Sequence, residues 1–375
     1  MLSLYLHIPF CRARCPYCDF FLVTRQEHVD RFFEALAEET RSKADLLRGR
    51  KVSAIHFGGG TPSIVPVSRI SGWLSQVAGI ASLEPGAEIT LEANPEDLNP
   101  VTLGELRDAG VNRLSIGVQS FTDRKLRALG RAHSSADALR TVAAAMERFD
   151  SVAIDLMCGA EGEGIGEWEG DLCAALELRP RHVSVYMLNL EEKTRLWRDV
   201  RRGVVELPDE SLQAAMYRKA RLMLTGAGYR HYEVSNYALE GFHSRYNLSS
   251  WRREPYLGFG PSAHSFIVEG GEESRFSNVS SLTRYLADPA GAQDFREELS
   301  PGQRFDEEVF LSLRIRRGLS LGFLRSGHEA DLQRLDAALE EFLGKGWIRI
   351  EEGHVTLTEE GFLFADLVAT ALIHG

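Results

Sequence analysis

The stretch Leu2–Phe21, LSLYLHIPFCRARCPYCDFF, joins an apolar run to a loop that carries three of the chain's five cysteines. Residues 2–8 read as a β-strand, and Pro16 and the aromatic Tyr17 set a tight loop just after it. The arrangement returns at once: VSAIHFG at 52–58 is a second strand that runs into GGGTPS at Gly58–Ser63. Further β-branched or aromatic runs follow at 88–94 (EITLEAN), 113–120 (RLSIGVQS), 151–157 (SVAIDLM) and 182–188 (HVSVYML), making six candidate strands. Between them, apolar residues at three- and four-residue spacing predict helices over 28–47, 101–110, 136–149 and 166–178.

Regular alternation of strand and helix means parallel βαβ units. With neither a dinucleotide fingerprint nor a sign of reversed strand order, the pattern predicts an α/β fold of the incomplete (β/α)6 barrel type in preference to a doubly wound sheet. Chemistry is then expected at the C-terminal ends of the strands. The barrel should span 1–205. A connector over 206–298, with a helix at 209–229 and the Gly-rich aromatic passage YLGFGPSAHSF at 256–266, should close it. Residues 299–375 read as a small winged-helix-like α/β module, in which 335–361 reads as a helix with a Gly stop, two short strands and another helix.

The 375 residues hold 54 acidic and 43 basic side chains, with no long Lys/Arg cluster, which argues against broad nucleic-acid binding because phosphate neutralisation needs a concentrated positive face. The C-terminal module is therefore read as a docking element. No run approaches the roughly 20 apolar residues of a membrane span, and Met1 leads directly into a strand pattern, so a cytoplasmic protein is expected. Cys158 and Cys173 lie far from the N-terminal trio and the cysteine total is odd, so a disulfide framework is not indicated.

Three thiols at C-x3-C-x2-C suit an iron–sulfur cluster: a cubane has four irons, so three cysteines leave one iron open to an external chelating group. Zinc is the competing reading, but it wants four ligands, and His7 is the one near candidate at a spacing unusual for a finger. The glycine run would let backbone groups approach a ligand on the same rim. Glu92, Gln119 and Asp155 fall at or near the ends of strands three, four and five, and Arg131 follows soon after. Singly, each is an ordinary polar strand end. In series beside a cysteine loop, they supply the types needed by an iron-bound amino acid with a ribose: a guanidinium for carboxylate, backbone for ammonium, carboxylates and amides for hydroxyls.

The combination YLHIPFCRARCPYCDF, GGGTPS, LEANPE, RLSIGVQSF and YLGFGPSAHS resembles radical S-adenosylmethionine (SAM) proteins of the anaerobic coproporphyrinogen oxidase group, over nearly the whole chain. The resemblance implies a [4Fe-4S] cluster on Cys11, Cys15 and Cys18 with Tyr5 and Tyr17 beside it. It implies SAM held by Gly59, Gly60, Thr61, Glu92, Gln119, Arg131 and Asp155. In that family, an electron from a donor such as flavodoxin or ferredoxin cleaves the cofactor to a 5′-deoxyadenosyl radical.

The oxidases carry another cysteine two residues after the third and a longer segment before the first strand. Here that position is Phe20, and the barrel begins at once. Both features resemble the HemW-like branch of haem chaperones, which implies haem as cargo and acceptor haemoproteins as partners, membrane-associated ones among them. The oxidative decarboxylation of coproporphyrinogen III, or other radical SAM chemistry, is the alternative. The branch's H-N-x-x-Y-W haem motif corresponds to Tyr246, Asn247, Leu248, Ser249, Ser250 and Trp251, so its histidine is replaced by tyrosine and its tyrosine by serine. Tyr246, His243 and His264 stand as alternative ligands. DLMCGAEGEG at 155–164 also departs from the family's G-L-P-G, at Ala160 and Glu161.

Overall fold

The computed structural model of the protein describes residues 1–328 and 332–374. Six parallel strands, β1 (Leu2–Ile8), β2 (Lys51–Gly59), β3 (Ser82–Ala93), β4 (Arg113–Gln119), β5 (Ser151–Cys158) and β6 (His182–Met187), lie side by side in chain order. A doubly wound sheet would reverse that order at a switch point, and no reversal occurs, so the partial-barrel reading stands. β1 is buried at six of its seven positions, as expected where helices cover one face of a parallel sheet and the barrel interior the other. Helices at Val29–Ser42, Val67–Ala78, Pro100–Asp108, Ser135–Met146 and Ile165–Leu178 form that cover.

The connector adds strands to both open edges of the sheet. Beyond β6 come β8 (Asn236–Ala238) and β7 (Arg230–His231). Beyond β1 comes the parallel β9 (Tyr256–Phe259), then antiparallel β10 (His264–Glu269), β11 (Glu272–Asn278) and β12 (Gln293–Glu298). A buried carboxylate fixes the second edge: Glu39 accepts from Lys43 Nζ (2.6 Å), Asn278 Nδ2 (2.6 Å), Gly260 N (2.8 Å) and the Tyr285 hydroxyl (2.7 Å). Every side of that charge is paired, as burial requires.

The C-terminal module has its own three-stranded antiparallel sheet, β13 (Leu319–Ser320), β15 (His354–Leu357) and β14 (Ile348–Glu351) in that spatial order, and a separate apolar core around Val309, Leu335, Phe342, Val355 and Leu372. It rests on the β7–β8 edge through Val234 N donating to Arg314 O (2.9 Å) and Arg316 Nε donating to His231 O (2.8 Å). Among the described residues, no helix is long and apolar enough to cross a membrane.

Candidate functional site

At the end of β1 the chain leaves at Ile8 and returns at Val23, where Cys11 N donates to Val23 O (3.0 Å) and Val23 N to Pro9 O (2.7 Å). The end of β2 seats this loop: Gly60 N donates to Ile8 O and Thr61 N to Phe10 O, both at 2.8 Å. The glycines serve that contact. A Cβ on Gly60 would lie 2.7 Å from both carbonyl oxygens, and one on Gly59, whose φ is +100°, 2.6 Å from the His7 ring. The N–H groups of Gly60 and Thr61 are thus spent on the loop and not free for a ligand, contrary to the simple expectation from a glycine run. Arg14 folds the loop from outside by donating to the carbonyls of Cys18, Phe20 and Leu22.

Cys11, Cys15 and Cys18 line one cavity of about 430 Å³. Among the described residues, no three His, Cys, Asp or Glu side chains are gathered closely enough to hold a single metal ion. Burial pushes the Cys11 thiol up to about 11 and raises that of Cys18, so in the bare chain they are protonated. Iron would supply the charge that makes them thiolates. The sulfurs also have donors poised for them, Thr61 Oγ1 at 3.2 Å from Cys11 Sγ and Arg131 Nη1 at 3.8 Å from Cys15 Sγ. This donor set fits a three-thiolate cluster.

The polar residues at the strand ends converge on the same cavity: Glu92, Gln119, Arg131 and Asp155 all line it, with Gly59, Gly60, Thr61 and Tyr17. Arg131 Nη2 donates to Asn94 Oδ1 (2.5 Å) and Gly117 O (3.0 Å), while its Nε is buried without a partner. Gln119 takes φ +65°, and its Oε1 is likewise buried and unpaired. Buried polar atoms are nearly always satisfied, so two orphans on residues that line one cavity suit a polar ligand there. Burial pushes the Asp155 carboxyl up to about 6, with Glu92 adding, while Ser115 donates to it at 3.3 Å. Asn94, Glu96 and Ser115 also line the cavity and escaped the sequence reading. Asn94 and Glu96 stand in LEANPE, close to Glu92.

Tyr5 does not line this cavity. It faces a second one, of about 1000 Å³, between the barrel mouth, the connector and the C-terminal module. Tyr246, Asn247 and Trp251, all on the helix Arg245–Trp251, line it together with Phe21, Phe266, Phe310 and Ile373. The Tyr246 ring stacks on His56 (centroids 4.7 Å apart), whose Nε2 lies 2.8 Å from Glu92 Oε1, so the wall of one cavity is the back of the other. Burial raises the Tyr246 phenol far above its ordinary value, with Tyr256 and Glu92 adding to the shift. Trp251 Nε1 donates to Glu233 Oε2 at 2.8 Å, and burial pushes that carboxyl up to about 7. His264 faces the larger cavity, and burial lowers its pKa, with Arg275 adding. His243 is not among its lining residues; it packs edge-on against Tyr232 at 4.6 Å. Asp19, Phe20 and Tyr186 line both cavities. His56 and Glu233 were unread in the sequence, although a polar residue inside an apolar strand run, as in VSAIHFG, is a usable signal.

Comparison with known proteins agrees with this layout. The radical SAM superfamily model matches residues 5–172, and the HemN C-terminal domain model matches 299–364. The heme chaperone HemW of Lactococcus lactis is 33% identical over 365 residues, covering 96% of this chain and 94% of that protein. HemW of Bacillus subtilis is 33% identical over 383 residues, covering 100% and 99%, and that of Mycobacterium tuberculosis H37Rv is 35% identical over 380 residues, covering 99% and 94%. The solved structure of Escherichia coli coproporphyrinogen III oxidase (HemN), a radical SAM enzyme, superposes with a TM-score of 0.84 over 99% of this chain and 89% of that one, at 24% identity. That likeness establishes the shared fold. Full-length identity at this level, joined to the three-cysteine loop and the HemN-type C-terminal module, places the chain in the HemW family of radical SAM proteins.

Proposed function

We propose that this protein is a haem chaperone. It holds a [4Fe-4S] cluster on Cys11, Cys15 and Cys18, SAM in the smaller cavity and haem in the larger, and it hands the haem to acceptor haemoproteins. The observation that carries the reading is the pair of cavities with a common wall at Asp19, Phe20 and Tyr186. The larger, at about 1000 Å³, sits at the upper end of small-molecule sites and is lined with aromatic side chains suited to a flat macrocycle.

When bound, the cluster and SAM supply one-electron chemistry fed by a donor of the flavodoxin or ferredoxin kind. The chain's own groups do the holding. The buried, partly unpaired guanidinium of Arg131 would take the methionine carboxylate, and Glu92, Gln119 and Asp155 would accept from ribose hydroxyls and the ammonium. Tyr17 and Met157 supply apolar lining that limits water. Phe20, exposed between the two cavities where the oxidases have a further cysteine, favours the chaperone over the decarboxylase.

The test is a haem titration of the anaerobically reconstituted protein, followed by addition of an apo-haemoprotein. A saturable Soret shift and transfer of the band to the acceptor are expected. No shift, or no transfer, overturns the reading. Formation of protoporphyrinogen from coproporphyrinogen III with reductant and SAM would replace it with the oxidase.

A further inference from the structure

We infer that His264 is the axial imidazole for haem iron in the larger cavity, taking the place of the motif histidine that this chain lacks. The inference rests on the haem-carrier reading above and adds the ligand to it.

Neutral nitrogen and soft sulfur are the usual protein ligands to haem iron, and among the described residues no cysteine or methionine lines this cavity. Its histidines are His7 and His264. Both His7 nitrogens are engaged, Nε2 with Phe21 O at 2.8 Å and Nδ1 with the Tyr5 hydroxyl at 3.3 Å, and the ring lies in the floor of the β1 strand, 4% exposed. His56 lies behind the Tyr246 ring and is tied to Glu92. Tyr246 could serve only as phenolate, and its ring is held against His56 at 4.7 Å, where burial, then Tyr256 and Glu92, oppose ionisation.

His264 differs on each count. It is exposed to the cavity, and no hydrogen bond to its ring from another described residue is present. It opens β10, and strand alternation puts it on the same face as Phe266, which also lines the cavity, while Ser265 points inward and accepts from Gly258 N at 2.9 Å. The backbone beneath is tightly seated: a Cβ on Gly258 would lie 2.2 Å from His264 O. A rigid strand carrying a free imidazole into a cavity with aromatic lining is the arrangement an axial ligand needs.

The test uses the full-length protein with its cluster. Wild type, H264G and H243A are titrated with haemin and read by Soret position and resonance Raman, with iron content and circular dichroism reporting folding. Wild type and H243A should show the same imidazole-type coordination. H264G should lose it, with haem affinity lower by about tenfold or more, and added imidazole should restore the spectrum. Wild type that binds haem while H264G keeps the same coordination overturns the assignment and leaves the carrier reading standing. So does a phenolate-type spectrum that vanishes in Y246F. Failure of the wild type to bind haem defeats the carrier reading itself, and this assignment with it.

Discussion

Replacing Gly60 with alanine should dislodge the cysteine loop without touching a cysteine. The new Cβ would stand 2.7 Å from Ile8 O and from Phe10 O, about 0.7 Å inside the 3.4 Å at which ordinary contact begins, and the obstructing atoms are backbone, which cannot rotate away. Those carbonyls are the acceptors of the two 2.8 Å bonds from Gly60 N and Thr61 N, so relieving the clash stretches both. Two bonds at about 1 kcal/mol each, with about 1–3 kcal/mol of overpacking strain, come to roughly 3–5 kcal/mol against the seated loop. At 1.4 kcal/mol per factor of ten, that is about a hundredfold or more in the equilibrium between seated and unseated loop. The assay is the rate at which a chelator strips iron from the reconstituted cluster. G60A should release it about a hundredfold faster. G72A is the control, because nothing lies within 4 Å of a Cβ on Gly72, on the exposed face of the helix Val67–Ala78. It should leave release unchanged and stabilise the fold by about 1 kcal/mol. Equal release from G60A and wild type would refute the claim that the glycine run seats the loop.

Lys125, Glu163 and Asp171 form a fully buried ion cluster, with Nζ 2.5 Å from Glu163 Oε1 and 3.0 Å from Asp171 Oδ2, that fastens the loop after β5 to the end of β4. Lys125→Met leaves two buried carboxylates unpaired and should cost about 3–5 kcal/mol in urea denaturation, and a loss below about 1 kcal/mol would count against the cluster's role. Asp155, pushed from its ordinary 3.8 up to about 6 in the folded chain, holds its proton more tightly there than when unfolded. The stability this contributes is therefore present below about pH 4 and lost as pH rises to about 6. The stability of ligand-free wild type relative to Asp155→Asn should fall over that window by up to about 3 kcal/mol and then level off, whereas a flat difference would refute the raised value.

The barrel strands were legible because parallel strands covered on both faces read as continuous apolar runs. β1 occupies the span 2–8 expected of it. β3 starts earlier than its apolar run, at Ser82, because Pro85 and Gly86 look like a turn and instead sit in an irregular stretch where the pairing slips between Val52 and Ala54. The edges were not legible in the same way. β9 pairs with β1 across some 250 residues of chain, and no local pattern announces a partner at that distance.

The sequence alone determined the cluster loop and its neighbours at the strand ends. Cys11, Cys15 and Cys18 share one short loop, and each β-strand delivers its last residues to the same rim whatever the details of packing. Tertiary structure decided everything about the second cavity. His7 and His56 come from the first two strands, whereas Glu233, Tyr246 and His264 come from the connector, far along the chain. In a strand, a one-residue slip in register turns a side chain from cavity to core. Residue type could nominate Tyr246, His243 and His264 alike. Only the pairing of β10 with β11 and the packing of Tyr246 on His56 leave His264 with a free nitrogen in the cavity.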